Sequence, residues 1–219
     1  MRSCLRCFLA LIVALSVLSA KAGSYEDFFA AVKRDDEQAV QALLQRGFDP
    51  NAQSPDGQYG LYLALREPAL KVARVLIDWP KTAVESRNKA DESPLMMAAL
   101  KGQTDMVKRL IARDADVNKP GWTPLHYAAT GGQLEIMGLL LENYAFIDAQ
   151  SPNGTTPLMM AAMYASPQAV KLLLDAGADT GLKNQLGMTA WDFAMRAQRP
   201  DAAEMISRHI RSRQRPGSW

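Results

Sequence analysis

Apolar residues along this chain come in short helical bursts separated by polar turns. In the stretch that starts at Pro124, Leu125, Ala128 and Ala129 recur at helical spacing. After Gly131 and Gly132, a second burst carries Ile136, Met137, Leu140 and Leu141. The pattern predicts a short helix, a left-handed glycine turn and a second helix. Thr123 can cap the first helix, and Pro124 suits its first position because first-turn N–H groups have no helical partner anyway. The two alanines let a neighbouring helix approach closely.

The phrase then repeats. With the prolines at 94, 124 and 157 superposed, SPLMMAAL at 93–100 and TPLMMAAM at 156–163 fall on TPLHYAAT. Met106, Val107, Leu110 and Ile111 match the second burst on one side, and Ala169, Val170, Leu173 and Leu174 match it on the other. Fainter copies extend outward, so equivalent positions fall at 27, 60, 94, 124, 157 and 190, at intervals of 33, 34, 30, 33 and 33. Neither helix of a unit can bury its apolar face alone, so consecutive units have to stack.

Thr123-Pro124-Leu125-His126, the alanine pairs, the paired leucines and Gly177-Ala178-Asp179 resemble the ankyrin-repeat family. Gly47-Phe48-Asp49-Pro50-Asn51 is a close variant of the same tail. The resemblance implies an all-α solenoid of about six stacked helix-turn-helix units joined by short hairpin-like loops, over residues 23–210. It also implies a non-catalytic role in protein–protein interaction. Two departures stand out. The glycine that ends the second helix is replaced by Pro80, Asp114 and Tyr144 in the three middle units, and proline cannot adopt the positive φ used there. The 30-residue interval removes three residues from the projecting loop at 118–122, which shortens one finger and opens a notch beside Trp122.

The ends alter the charge balance. Arg2 and Arg6, the apolar run from Cys7 to Leu18, and Ala20-Lys21-Ala22 read as a secretory signal cleaved after Ala22 rather than as an uncleaved anchor. Cleavage removes three basic residues and no acid, which turns 25 basic against 23 acidic residues into 22 against 23, a net charge of −1. Nothing then suggests a nucleic-acid surface. Both cysteines, Cys4 and Cys7, leave with the signal, so an exported chain carries no thiol into an oxidising compartment. The expected product is a periplasmic or secreted monomer with no membrane span, ending in a disordered basic tail at 211–219.

Catalytic chemistry finds few candidates. The two histidines are His126, expected to hydrogen-bond backbone of the adjoining turn, and His209 in a basic terminal helix. No phosphate loop, HExxH or spaced Cys/His cluster is present, and Asp35-Asp36 reads as a solvated turn. No cofactor is expected. The alternative chemistry is thioether chemistry. Met160 and Met163 have the i, i+3 spacing that could offer two sulfurs to soft copper or to an oxidant. However, Met159 and Met160 occupy the positions of His126 and Tyr127, which follow the repeat rather than any ligand geometry.

Binding remains. The resemblance places partner contacts on the loop residue before each Thr-Pro equivalent and on the exposed side of each first helix. Carried onto this chain, the loop positions are Gln58, Glu92, Trp122, Thr155 and Met188. The helix positions are Arg66, Glu67, Lys101, Thr130, Met163, Tyr164 and Arg196. Trp122 and Met188 are large apolar groups flanked by cations, the residue types of protein-binding hot spots. Trp122 either projects as a contact or folds over its own notch.

Overall fold

The computed structural model describes residues 23–214; the signal expected at 1–22 and the end of the tail at 215–219 lie outside them. Twelve helices fill the described residues. They are α1 (23–33), α2 (Glu37–Gln45), α3 (Gly60–Arg66), α4 (Leu70–Asp78), α5 (Pro94–Leu100) and α6 (Thr104–Ala112), followed by α7 (Pro124–Gly131), α8 (Leu134–Glu142), α9 (Pro157–Tyr164), α10 (Pro167–Asp175), α11 (Ala190–Arg196) and α12 (Pro200–Gln214). Among these residues the β pairing is an isolated antiparallel bridge between Gln53 and Tyr59. The protein is an all-helical solenoid, in which the described residues 23–83 form one compact unit and 84–214 a second.

In the first unit, α4 packs on α2 and α3. Phe28 anchors it by stacking on Phe48 at 4.7 Å and meeting Phe29 edge-on at 5.1 Å. Gly60 replaces the usual residue here because a Cβ would lie 2.6 Å from the Phe28 ring. Asp35 and Asp36 are structural rather than idle. Asp36 caps α2 by accepting from the Ala39 N–H at 3.0 Å, and Asp35 accepts from the Val72 N–H at 2.9 Å.

In the second unit the first helices α5, α7, α9 and α11 lie side by side, backed by α6, α8, α10 and α12. Leu125, Ala128, Ala129, Ile136, Met137 and Leu140 form core, with Leu95, Met106, Leu110, Leu158 and Leu173 in equivalent places. Leu141 and Ile111 are only half-buried, whereas Leu174 at the equivalent place is buried.

The repeated methionine phrase is explained at the helix starts. Ser93 Oγ and Thr156 Oγ1 accept from the N–H groups of Met96 and Met159 at 3.3 and 3.4 Å. In return, the Sδ atoms of those methionines each accept the N–H of Ser93 or Thr156 at 3.4 Å. His126 Nδ1 does the same for Thr123 N–H at 3.2 Å. A thioether here is a weak substitute for the acceptor of a capping box.

The turns follow the residues. Asp114 and Tyr144 take φ of 60° and 64°, the place of Gly47 and Gly177 at 89° and 96°. At Pro80 the turn is built differently, because Trp79 ends α4 in an extended conformation. Successive loops are stitched by a side chain at one recurring position. The carbonyl or carboxylate oxygens of Asn51, Glu85, Asn118 and Asp148 accept the N–H groups of Ala83, Asp116, Phe146 and Asp179 in the following loop, at 2.8, 2.6, 2.7 and 3.0 Å. The terminal helix runs past the expected boundary at 210, through Gln214. Arg208 pairs with Glu204 at 2.8 Å, Ser212 Oγ bonds the His209 carbonyl, and cations suit a helix C-terminus.

Candidate functional site

Each full-length finger is closed at its base by a backbone bond. The carbonyls of Gln58, Glu92, Thr155 and Met188 accept the N–H groups of Ser54, Asn88, Ser151 and Asn184 at 2.8, 3.1, 3.0 and 3.0 Å. The shortened finger has lost three residues. Lys119 takes over there, its Nζ donating to the carbonyls of Trp122 and Pro120, each at 3.1 Å. The third partner is Asp91 Oδ2, at 2.5 Å, and the Lys119 side chain is only 1% exposed. An ammonium has three donors, and these acceptors use them. The bond to Lys119 also holds the Asp91 carboxyl below the ordinary carboxylate range.

This short finger fixes Trp122. Its ring meets the His126 ring edge-on at 5.2 Å and 75°, and the residue remains half-buried. His126 is fully enclosed, with Nε2 2.9 Å from the Thr155 carbonyl and Nδ1 accepting from Thr123. That arrangement is met by the neutral tautomer protonated at Nε2. Burial, with a smaller contribution from the Lys119 charge, lowers the His126 pKa from 6.5 to about 4. The histidine is therefore a structural tie and is not poised for proton transfer near neutral pH.

Two hollows meet at Trp122 and Met160 on the first-helix side of the second unit. One, of about 200 Å³, is lined by Leu100, Trp122, Tyr127, Thr130 and Met160. The other, of about 230 Å³, lies between α9, α11 and the last two fingers, with Met163, Tyr164, Met188 and Arg196 in its wall. Six expected contacts, Trp122, Thr155, Met163, Tyr164, Met188 and Arg196, therefore line one depression.

Thr155 lines the hollow with little exposed surface: it is 2% exposed, with its N–H tied to Ser151 Oγ and its carbonyl to His126. The remaining expected contacts are distributed differently. Glu92 is half-buried and accepts from Tyr127 Oη and Asn88 Nδ2, both at 2.8 Å. Lys101 is exposed at the end of α5. Gln58 and Arg66 belong to the first unit. Gln58 is fixed by Ser54 in its finger, and Arg66 pairs with Glu67 at 2.9 Å.

Met160, whose frame position, that of Tyr127, assigns it to the scaffold, lines both hollows. Not expected from the sequence are Leu186, 75% exposed beside Met188, and the exposed pair Tyr144 and Phe146, 84% and 67% exposed. A signal for the last pair was available: a bulky tyrosine in a glycine slot. Among the described residues no group of three or more His, Cys, Asp or Glu side chains is placed to share a metal ion, and no helix is long and apolar enough to cross a membrane.

Comparison with known proteins adds three findings. The profile for ankyrin repeats matches residues 28–119, 80–151 and 146–214. Among relatives, the mouse (Mus musculus) ankyrin repeat and SAM domain-containing protein 6 is 39% identical over 128 residues, covering 56% of this chain and 14% of that protein. The chicken (Gallus gallus) nuclear factor NF-kappa-B p105 subunit is 32% identical over 161 residues, covering 70% of this chain and 16% of its own. The chain thus spans under a fifth of the length of these relatives. A solved complex of the predatory endopeptidase Bd0816 from Bdellovibrio bacteriovorus with immunity protein Bd3460 contains a similar chain. That chain is 29% identical with a TM-score of 0.71, and the match covers 83% of this chain and 97% of that one.

Proposed function

Because the chain belongs to the ankyrin-repeat family, whose repeats generally mediate protein–protein interaction, we propose that it is an exported, non-catalytic module that binds a partner protein. The contact surface we assign lies on the first-helix side of the second unit, centred on Trp122. The observation that carries this reading is the pair of hollows sharing Trp122 and Met160 as a common wall, since large side chains held half-open are what protein interfaces use as anchors. The Bdellovibrio complex, an endopeptidase with its immunity protein, makes a peptidase of the same compartment the first partner class to test. Export rests on Arg2, Arg6, the apolar run to Leu18 and the small residues at 20 and 22.

A copper role for the methionines has less support. Arg196 Nη1 lies 3.8 Å from Met188 Sδ, which puts a fixed cation where a metal would need to approach the thioethers of this hollow.

The test is site-specific photo-crosslinking from position 122 in the native compartment, with position 135 on the second-helix side as the control. We expect a specific protein captured from 122 and none from 135; the reverse pattern overturns the assignment. Cell fractionation with N-terminal sequencing checks export, the expected mature start being Gly23.

A further inference from the structure

The hollow between α9 and α11 has a chemistry that narrows what it accepts. Its walls are mainly thioethers and rings, from Met160, Met163, Met188 and Tyr164, with Asn153 and Asn184 as polar members and Leu186 standing exposed at the finger tip. At about 230 Å³ it is smaller than an ordinary small-molecule site and suits one inserted side chain. Unbranched thioethers are the residues best able to adjust to such a guest.

Its one cation is Arg196, at the end of α11. That arginine is exposed, rests on Met188 Sδ, and meets no carboxylate among the described residues. The acid one turn earlier, Asp192, is not available to it. Asp192 Oδ2 accepts the Thr189 N–H at 2.7 Å and the Thr189 hydroxyl at 2.6 Å, closing the capping box of α11. Elsewhere in the array Arg66, Lys108, Arg109 and Arg208 pair with a nearby acid. A guanidinium left without an acid above an apolar hollow is complementary to a carboxylate beside a large apolar side chain.

Resting on the protein-binding reading, we infer that this hollow is the specificity pocket for a partner segment in which Asp or Glu adjoins Leu, Ile, Met, Phe or Trp. The apolar side chain fills the space between Met160, Met163 and Met188, and the carboxylate takes the open fork of Arg196. An acidic residue alone would lack the burial, and an apolar one alone would leave Arg196 unmatched.

The probe is a random heptapeptide library displayed on phage and selected on the mature chain, in parallel with its Arg196→Gln and Met163→Ser variants. Arg196 and Met163 lie at the last turns of short helices and are not fully buried, so circular dichroism and melting curves should match wild type. Expected is enrichment of peptides with an acid beside a large apolar residue, bound about tenfold more weakly by Arg196→Gln. The Arg196→Gln selection should lose the acid and keep the apolar residue, and Met163→Ser should do the opposite. Enriched peptides bound equally by all three chains would overturn the pocket while leaving a protein-binding role in place. A wild-type selection that enriches nothing, together with no crosslinked partner from position 122, would overturn both.

Discussion

Lys119 Nζ and Asp91 Oδ2 lie 2.5 Å apart, and each residue departs from the repeat where the other needs it. Asp91 holds φ of 60° at a finger position filled elsewhere by Gly57, Gly121, Gly154 and Gly187. Lys119 supplies from a side chain the donor that three missing backbone residues no longer provide.

Removing Lys119 should therefore be costly, and the sign of the Asp91 effect should depend on it. Lys119→Met leaves two carbonyls and a carboxylate without their donor. Since Asp91 is largely solvated, we expect a loss of about 1–3 kcal/mol in urea unfolding rather than the full cost of breaking a buried pair. Asp91→Gly should destabilise the wild type, where it strands a buried ammonium. In the Lys119→Met background the same change should stabilise, because relief of the positive-φ strain outweighs the exposed 3.5 Å pairing of Asp91 with Arg87.

His126 should make stability acid-sensitive in a defined window. The unfolded chain takes up a proton near pH 6.5, while the folded chain resists protonation until about pH 4. The unfolded state therefore binds more protons between those values, and stability falls as the pH drops through them, by up to about 3 kcal/mol. His126→Met copies the residue found at Met96 and Met159 and should flatten the profile. Melting temperatures of both proteins from pH 7 to 4 check this.

Asp148→Asn should stabilise. Burial and the nearby Asp179 raise the Asp148 pKa, so the folded state holds its proton better than the unfolded state does, and stability declines as the pH rises through that range. The equivalent Asn51 and Asn118 carry no charge, and their Nδ2 groups also donate to the carbonyls of Lys81 and Tyr144. An amide at 148 should remove the repulsion and add that donor, raising Tm at pH 7 by about 2–4 °C.

Tyr144→Gly separates folding from binding. At φ 64° and largely exposed, Tyr144 contributes strain and little burial, so glycine should stabilise by about 1 kcal/mol in thermal unfolding. Unchanged crosslinking from position 122 is expected, since Tyr144 lines neither hollow.

The helices were legible in the sequence because a period writes the same physics repeatedly: Pro94, Pro124 and Pro157 open helices where their spacing predicts. The hollow was only half legible. Met163, Tyr164, Met188 and Arg196 follow from the frame, but Met160 shared a register with Tyr127 and passed as scaffold. Thr155 shows the converse. Its slot is a contact slot in general, yet here its backbone is held by the neighbouring His126, a tie no single unit displays. The role of Lys119 was hidden for a simpler reason: a deletion marks missing residues and does not say which atom replaces them.

A stack of similar units has one characteristic hazard, that a unit docks against the wrong neighbour while the chain is still assembling. Hydrophobic faces built alike cannot distinguish the third unit from the fifth. The ammonium of Lys119 can, because among the described fingers only the one carrying Asp91 offers a carboxylate at that spot. Docked beside any other finger, it would face a glycine and remain buried and uncompensated. The shortened finger thus works as an address within the array, penalising misordered assembly at the one joint where the repeat itself is irregular.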